Sequence, residues 1–117
     1  MALLWCVIYS VVNEYRHRRP DFRIVLQEDL SRDPVGQYAQ LYRSVGLAFT
    51  AEAKAAVTAS SSAGNPKETP PANPYQTRID SVANLGSWKR RLTAEEVGRI
   101  RRLTAIPASV YYPDSEW

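Results

Sequence analysis

The stretch Asp80–Glu96, D-S-V-A-N-L-G-S-W-K-R-R-L-T-A-E-E, decides how the rest of the chain is interpreted. It predicts a loop, followed by a helix that begins after Thr93. The loop carries hydroxyl and amide donors and Gly86, and it runs into Trp88 and three cations, Lys89–Arg91. Glycine lets a backbone come close to a ligand, and such cations suit oxyanions. The stretch therefore favours an anion-holding segment; the alternative is an ordinary loop with exposed cations around a packed tryptophan.

Length and composition indicate one globular domain at most. The chain has 117 residues, of which 44% are hydrophobic and 23% charged, which is ordinary for a globular protein. A net charge of +3 is too small to indicate nucleic acid. However, twelve of the fifteen cations are arginine, whose rigid fork suits phosphate, sulfate and carboxylate. An anionic partner is therefore favoured, with surface arginines that serve no special purpose as the alternative.

The N-terminal run M-A-L-L-W-C-V-I-Y-S-V-V contains the single cysteine, Cys6. One cysteine excludes an internal disulfide, so we expect a reducing compartment and a cytoplasmic location. The run of about twelve residues is shorter than the roughly twenty that a membrane span needs, and it lacks the features of a signal peptide. It predicts a helix over residues 2–18, buried on most sides and closed by Pro20. Such a helix needs more partners than this short chain supplies, so we expect an incomplete core.

The basic end of that helix contains the single histidine, His17. A solvated helix end is the expected role of His17, because no second histidine or cysteine is placed to share a metal with it. Downstream, Phe22–Leu26 is rich in β-formers and predicts a short strand. The pair Asp33–Pro34 then predicts a helix start.

That second helix is expected to end at Gly46, which suits a C-terminal cap. Thr50 is expected to cap a further short helix. From Ser60 to Thr77 the composition changes to serine, glycine and four prolines, which predicts a long flexible loop. It is either a lid that faces a substrate or simply a mobile segment.

The last predicted helix begins with the capping box Thr93-Ala94-Glu95-Glu96, and we expect Pro107 to end it. The aromatic tail after it, from Val110 to Trp117, is expected to pack back onto the body.

Three motifs in order resemble the C-terminal half of the sulfotransferases that use 3'-phosphoadenosine 5'-phosphosulfate (PAPS). The first is F-R-I-V-L-Q-E-D-L-S-R-D-P over residues 22–34. The second is L-Y-R-S-V-G-L over residues 41–47. The third is S-V-A-N-L-G-S-W-K-R-R-L-T-A-E-E-V over residues 81–97, followed by Tyr111-Tyr112-Pro113. Cytosolic members carry R-K-G where this chain has Ser81-Val82-Ala83, so the resemblance is closer to bacterial or Golgi-type members.

The resemblance implies PAPS as the cofactor and transfer of its sulfuryl group to a hydroxyl or amine of an unknown small-molecule or glycan acceptor. It implies that the loop before Trp88 wraps the 3'-phosphate of the nucleotide. The residues expected to contact that phosphate are Ser81, Asn84, Gly86, Ser87, Lys89 and Arg90. A dianionic phosphate needs several donors and a cation at close range, which agrees with this set. No catalytic residue and no metal ligand is assigned in this chain.

The resemblance also implies an α/β fold of the P-loop-like type, of which residues 1–117 would be the C-terminal part, mostly helical with one or two short strands. The glycine-rich loop that holds the 5'-phosphosulfate in the family has no counterpart here. We therefore expect a truncated fragment that alone is inactive, whose missing N-terminal half is a candidate partner. The open alternative is a small basic helical interaction module that binds acidic partners or nucleic acid, although no nucleic-acid reader motif is found.

Overall fold

A computed structural model describes residues 1–113, and within this range the chain is helical. Residues 1–113 form seven helices, in order α1 (Ala2–Arg18), α2 (Gln27–Arg32), α3 (Pro34–Ser44), α4 (Ala51–Ser61), α5 (Ser81–Asn84), α6 (Ser87–Arg91) and α7 (Ala94–Ala108). The chain divides into two compact units. Unit 1 consists of Met1–Ile24 and the chain from Arg91 onward, and unit 2 is Val25–Arg90.

The predicted α/β fold with one or two short strands is wrong for the described residues, which contain no strand. The segment 22–26 is an irregular connection before α2 instead of a strand. A strand is stabilised by ladder hydrogen bonds to a neighbour, and residues 1–113 offer this segment none. Its β-forming side chains therefore remain in a connecting segment, with Phe22 and Val25 exposed.

Unit 1 is a pair of packed helices, α1 and α7. The predicted helix over residues 2–18 is confirmed, and Arg19 follows it in an extended conformation before Pro20. The expectation that this helix is buried on most sides is wrong, because none of its residues is buried and most of its large apolar side chains are exposed. The buried residues of α7 and the turn after it are Thr104, Pro107, Ala108 and Tyr111. Their spacing of three and four residues places them on one side of the helix. This narrow strip is the core of unit 1.

The capping box that starts α7 is confirmed, because Thr93 accepts from the Glu96 backbone N–H and the Glu96 carboxylate accepts from that of Thr93. The backbone N–H of Thr93, and then its hydroxyl, donate to the Glu96 carboxylate, and these two hydrogen bonds lower the pKa of Glu96. The expectation that Pro107 ends the helix is wrong, since α7 continues to Ala108 with Pro107 inside it. The expected packing of the aromatic tail is confirmed for Tyr111, whereas Trp117 lies outside the described residues.

Unit 2 is built from short helices with local caps. Asp33 accepts from the Gly36 backbone N–H and Pro34 occupies the first turn of α3, as predicted. Gly46 follows α3 at a φ of 74°, where an L side chain is strained. The backbone N–H of Leu47 donates to Tyr42, which completes the predicted helix ending. Thr50 caps α4 by accepting from Ala53, again as predicted.

The segment between α4 and α5 is a non-helical connection whose base is hydrogen-bonded. The backbone N–H of Ile79 donates to Ser60, and that of Asp80 donates to Pro66. The side chain of Asn65 donates to the carbonyl of Ala59 in α4. These bonds bring both ends of the predicted loop Ser60–Thr77 next to α4 and α5. They fix the start of the segment that carries the predicted anion site.

Candidate functional site

The predicted anion-holding loop is not a loop in the structure, because most of it forms α5 and α6. Asp80 starts α5 by accepting a hydrogen bond from the Ala83 backbone N–H at 2.9 Å, and only 8% of this residue is exposed. Sequence reasoning missed this cap, although an aspartate directly before Ser81-Val82-Ala83 is an ordinary helix-start signal. A buried acidic side chain thus lies at the start of the predicted phosphate-binding segment. A carboxylate in that position repels a phosphate group.

Ser81 holds unit 2 together. Its hydroxyl donates to the carbonyl of Ser31 at 2.8 Å, and the carbonyl of Ser61 lies 3.3 Å away. The residue is half-buried. Since a hydroxyl has one hydrogen to donate, these carbonyls occupy the donor that a phosphate contact would need. In the structure Ser81 therefore connects α5 to the ends of α2 and α4.

The two basic candidates have internal partners as well. The guanidinium of Arg90 forms an ion pair with Glu68 at 2.6 Å, which ties α6 to the preceding connection. The ammonium of Lys89 lies 5.1 Å from the centre of the Trp88 ring, in cation–π geometry. Both side chains are exposed, so neither interaction makes them inaccessible. Trp88 is half-buried, in agreement with its expected role in packing.

The remaining candidates lie close in sequence to this cluster. Asn84 is the last residue of α5 and Ser87 is the first of α6, and both are half-buried. Gly86 lies between the helices, and a Cβ atom placed on it would meet no atom within 4 Å. Its φ is not positive, since Gly46 is the one positive-φ residue in the described chain. The backbone at Gly86 is therefore one that other residues adopt.

Unit 1 carries a second concentration of charge, and sequence reasoning did not single it out as a site. Its described part holds eight arginines and four acidic side chains. The exposed side of α7 carries Arg99, Arg102, Leu103 and Ile106, and Val110 follows in the turn after the helix. All five are exposed, Ile106 to 87%. We call these five residues the outer face of α7.

In the described part of the chain, the outer face of α7 combines exposed apolar side chains with arginines that form no ion pair. Within residues 1–113, Arg99 and Arg102 form no ion pair, whereas Arg18, Arg19 and Arg90 each pair with a nearby carboxylate. Leu103 and Ile106 lie about one turn apart on the same side of α7, and Val110 is an exposed residue of the turn that follows. Sequence periodicity predicts Val97, Ile100, Leu103 and Thr104 on the inner side of this helix. That prediction is wrong for Leu103, which is 45% exposed, whereas Thr104 is buried.

Other site chemistries find no support in the described residues. No group of three His, Cys, Asp or Glu side chains among residues 1–113 is arranged to hold a metal ion. His17 lies at the end of α1, and its Nδ1 donates to the carbonyl of Asn13 at 2.7 Å. A search of the described helices finds none that is both long and apolar enough to cross a bilayer.

Comparison with family models, with curated proteins and with solved structures gives no match to this chain. The resemblance to sulfotransferases and the nucleotide site drawn from it therefore remain predictions.

Proposed function

We propose that this chain is a helical interaction module, and that the outer face of α7 binds an acidic amphipathic segment of a partner protein. The observation that carries the proposal is the adjacency of Arg99 and Arg102 to the exposed apolar residues Leu103, Ile106 and Val110. Arginines without internal partners attract carboxylates, and apolar residues at helical spacing provide anchors for the apolar side of a partner helix. The excess of arginine over acidic residues in unit 1 supports the same choice of partner.

An acidic peptide fits this face better than nucleic acid does. Nucleic-acid interfaces combine cations with polar or aromatic side chains that reach bases, whereas here the cations are followed by three aliphatic residues. Aliphatic anchors gain free energy when they leave water, and a phosphate backbone offers them no apolar surface.

The test uses a synthetic helix, labelled with fluorescein, that carries leucine on one side and glutamate on the other. Fluorescence anisotropy of this probe should rise with the full 117-residue chain, and the affinity should fall with added salt. The double variant Arg99→Gln/Arg102→Gln should weaken binding about three- to tenfold, because each exposed ion pair is worth up to about 1 kcal/mol. Ile106→Ser should weaken it by roughly tenfold through loss of apolar contact.

Arg43→Gln is the matched control, since Arg43 is an exposed arginine on α3 in unit 2. It should leave the affinity unchanged. The proposal fails if the double variant binds as the parent does, or if a probe with lysine in place of glutamate binds equally well. Tighter binding of a single-stranded oligonucleotide, unaffected by Ile106→Ser, would replace the peptide with nucleic acid as the partner.

A sulfotransferase-derived nucleotide site is the second candidate, supported by the order of the three motifs. The helix ends that those motifs contain also form, at Asp33–Pro34, Gly46 and Thr93. Under this candidate the chain is an inactive fragment that retains part of the site for the 3'-phosphate of PAPS. Calorimetry tests it with adenosine 3',5'-bisphosphate, the nucleotide that remains after PAPS gives up its sulfuryl group. Saturable binding that Lys89→Gln weakens would favour this candidate over the interaction module.

We also propose a reducing, cytoplasmic compartment for the protein. The support is the composition, since a chain with one cysteine, Cys6, forms no internal disulfide.

A further inference from the structure

The side of α1 that faces away from α7 carries an apolar surface of its own. Its exposed large side chains are Leu3, Leu4, Val7, Ile8, Val11 and Tyr15. Helical periodicity places them in one continuous stripe, which we call the α1 stripe. Cys6, Tyr9 and Asn13, which contact α7 or the residue Tyr111 after it, lie on the opposite side of the helix. The packing of unit 1 therefore leaves the α1 stripe uncovered.

The spacing of the stripe is self-complementary. Leu4, Ile8, Val11 and Tyr15 follow one another at intervals of four, three and four residues, which is the pattern of a helix–helix seam. This order of intervals, four, three and four, is the same from either end of the helix. A contact between two copies about a twofold axis requires such a surface, because the same residues must fit one another from both sides. In an antiparallel pair, Leu4 of each copy meets Tyr15 of the other, and Ile8 meets Val11.

The distribution of charge along α1 favours the same arrangement. No Asp, Glu, Lys or Arg occurs between Ala2 and Asn13, whereas four basic side chains are clustered in residues 16–19. An antiparallel pair keeps the two basic clusters at opposite ends of the contact. A parallel pair would bring the two basic clusters together. Glu14 pairs with Arg18 within each copy, but four basic side chains against two carboxylates, Glu14 and Asp21, leave that end positively charged, and like charges close together oppose association. The apolar part of the stripe also lacks the cations that would attract an acidic partner.

We propose that the α1 stripe pairs antiparallel with the α1 stripe of a second copy of this chain. A standard protein interface buries about 800 Å² per partner and uses roughly 20–30 residues a side. One side of a 17-residue helix supplies less than that. The dimer is therefore reversible, with a dissociation constant of roughly micromolar order. This surface is distinct from the outer face of α7, so a copy in the dimer keeps that face free.

Sedimentation velocity of the full chain tests the proposal, at concentrations from roughly tenfold below to tenfold above a micromolar dissociation constant. The expected result is a monomer that converts to a dimer and to nothing larger. Ile8→Lys and Val11→Lys should each weaken the dimer more than tenfold and leave the helix content measured by circular dichroism unchanged. Tyr75→Ser is the control, because Tyr75 is a large exposed residue of unit 2. A monomer throughout, open-ended aggregation, or dimers that both lysine variants retain would overturn it.

Disulfide trapping tests the orientation. In a Cys6→Ser background, chains with Leu4→Cys are mixed with chains with Tyr15→Cys under mild oxidation. The antiparallel arrangement predicts the mixed disulfide as the dominant product. A dominant disulfide between two Leu4→Cys chains would overturn the antiparallel arrangement, because a parallel pair brings position 4 next to itself.

Discussion

The thiol of Cys6 donates to the carbonyl oxygen of Leu103, with an Sγ–O distance of 3.1 Å. In an uninterrupted helix that carbonyl would accept from the backbone N–H four residues later, but that residue is Pro107, which has none. The thiol thus replaces the donor that proline removes. This bond joins α1 to α7 and accounts for how α7 continues past Pro107 to Ala108.

The first prediction concerns this bond. Cys6→Val keeps an apolar side chain of similar size but removes the donor. Because a thiol is a weak donor, unfolding by urea should show a loss of about 0.5–1 kcal/mol. Cys6→Ser should lose less than Cys6→Val, because its hydroxyl can donate to the same carbonyl.

Pro107→Ala provides the coupling test for the same bond. It restores a backbone N–H opposite Leu103, so Cys6→Val should cost less in that background than in the parent chain. Equal costs in the two backgrounds would show that the thiol and the proline act independently.

The second prediction separates a structural role of Ser81 from a role in nucleotide binding. Ser81→Ala removes the donor to Ser31 and leaves a half-buried carbonyl without it, so the free energy of unfolding should fall by about 1 kcal/mol. Ser87→Ala is the control, since no side-chain hydrogen bond of Ser87 supports unit 2. Unchanged stability of Ser81→Ala, together with weaker binding of 3',5'-bisphosphate nucleotide, would contradict the structural role.

Features of this fold could be predicted from the sequence where the interacting residues lie close together along the chain. The caps at Asp33, Thr50 and Thr93 were predicted because donor and acceptor lie three residues apart. The same three-residue spacing joins Asp80 to Ala83, so a local pattern also indicates this cap, although the sequence prediction places Asp80 at the start of a loop. The strand at residues 22–26 was predicted wrongly because β-propensity says nothing about whether a partner strand exists.

The candidate site was harder to predict because its decisive contacts are distant in sequence. Ser81 lies 50 residues from Ser31 and 20 from Ser61, so no local pattern could show that its hydroxyl is used inside unit 2. The continuation of α7 at Pro107 was equally hard to predict, since the thiol that donates in place of the missing N–H lies on another helix. Periodicity in the sequence indicates the outer face of α7 as well as its buried strip. Which of the two is buried depends on where α1 packs.

The third prediction compares two glycines. Gly46→Ala should destabilise the protein by about 1–2 kcal/mol, because its φ of 74° is unfavourable for any residue with a Cβ atom. Gly86→Ala should be neutral, or stabilising by up to about 1 kcal/mol, because its Cβ has open space and its φ is not positive. Thermal unfolding of both variants measures the difference. A larger loss at Gly86 than at Gly46 would contradict the backbone conformations described above.

The last prediction concerns Tyr111, whose hydroxyl donates to the side-chain oxygen of Asn13 in unit 1. Burial raises the pKa of Tyr111 above its ordinary value of 10.0, Arg16 opposes this shift, and Tyr9 adds to it. The folded protein holds this proton more tightly than the unfolded chain does. The protonated hydroxyl of Tyr111 therefore stabilises the fold, and this stabilisation is fully present below a pH of about 10. It is lost as the pH rises from there through the raised pKa. The free energy of unfolding should therefore fall more steeply above pH 10 in the parent than in Tyr111→Phe. Tyr75→Phe is the control, because Tyr75 is 89% exposed, and it should follow the parent curve. Parallel curves for the parent and Tyr111→Phe would show that burial of this hydroxyl does not control stability in that range.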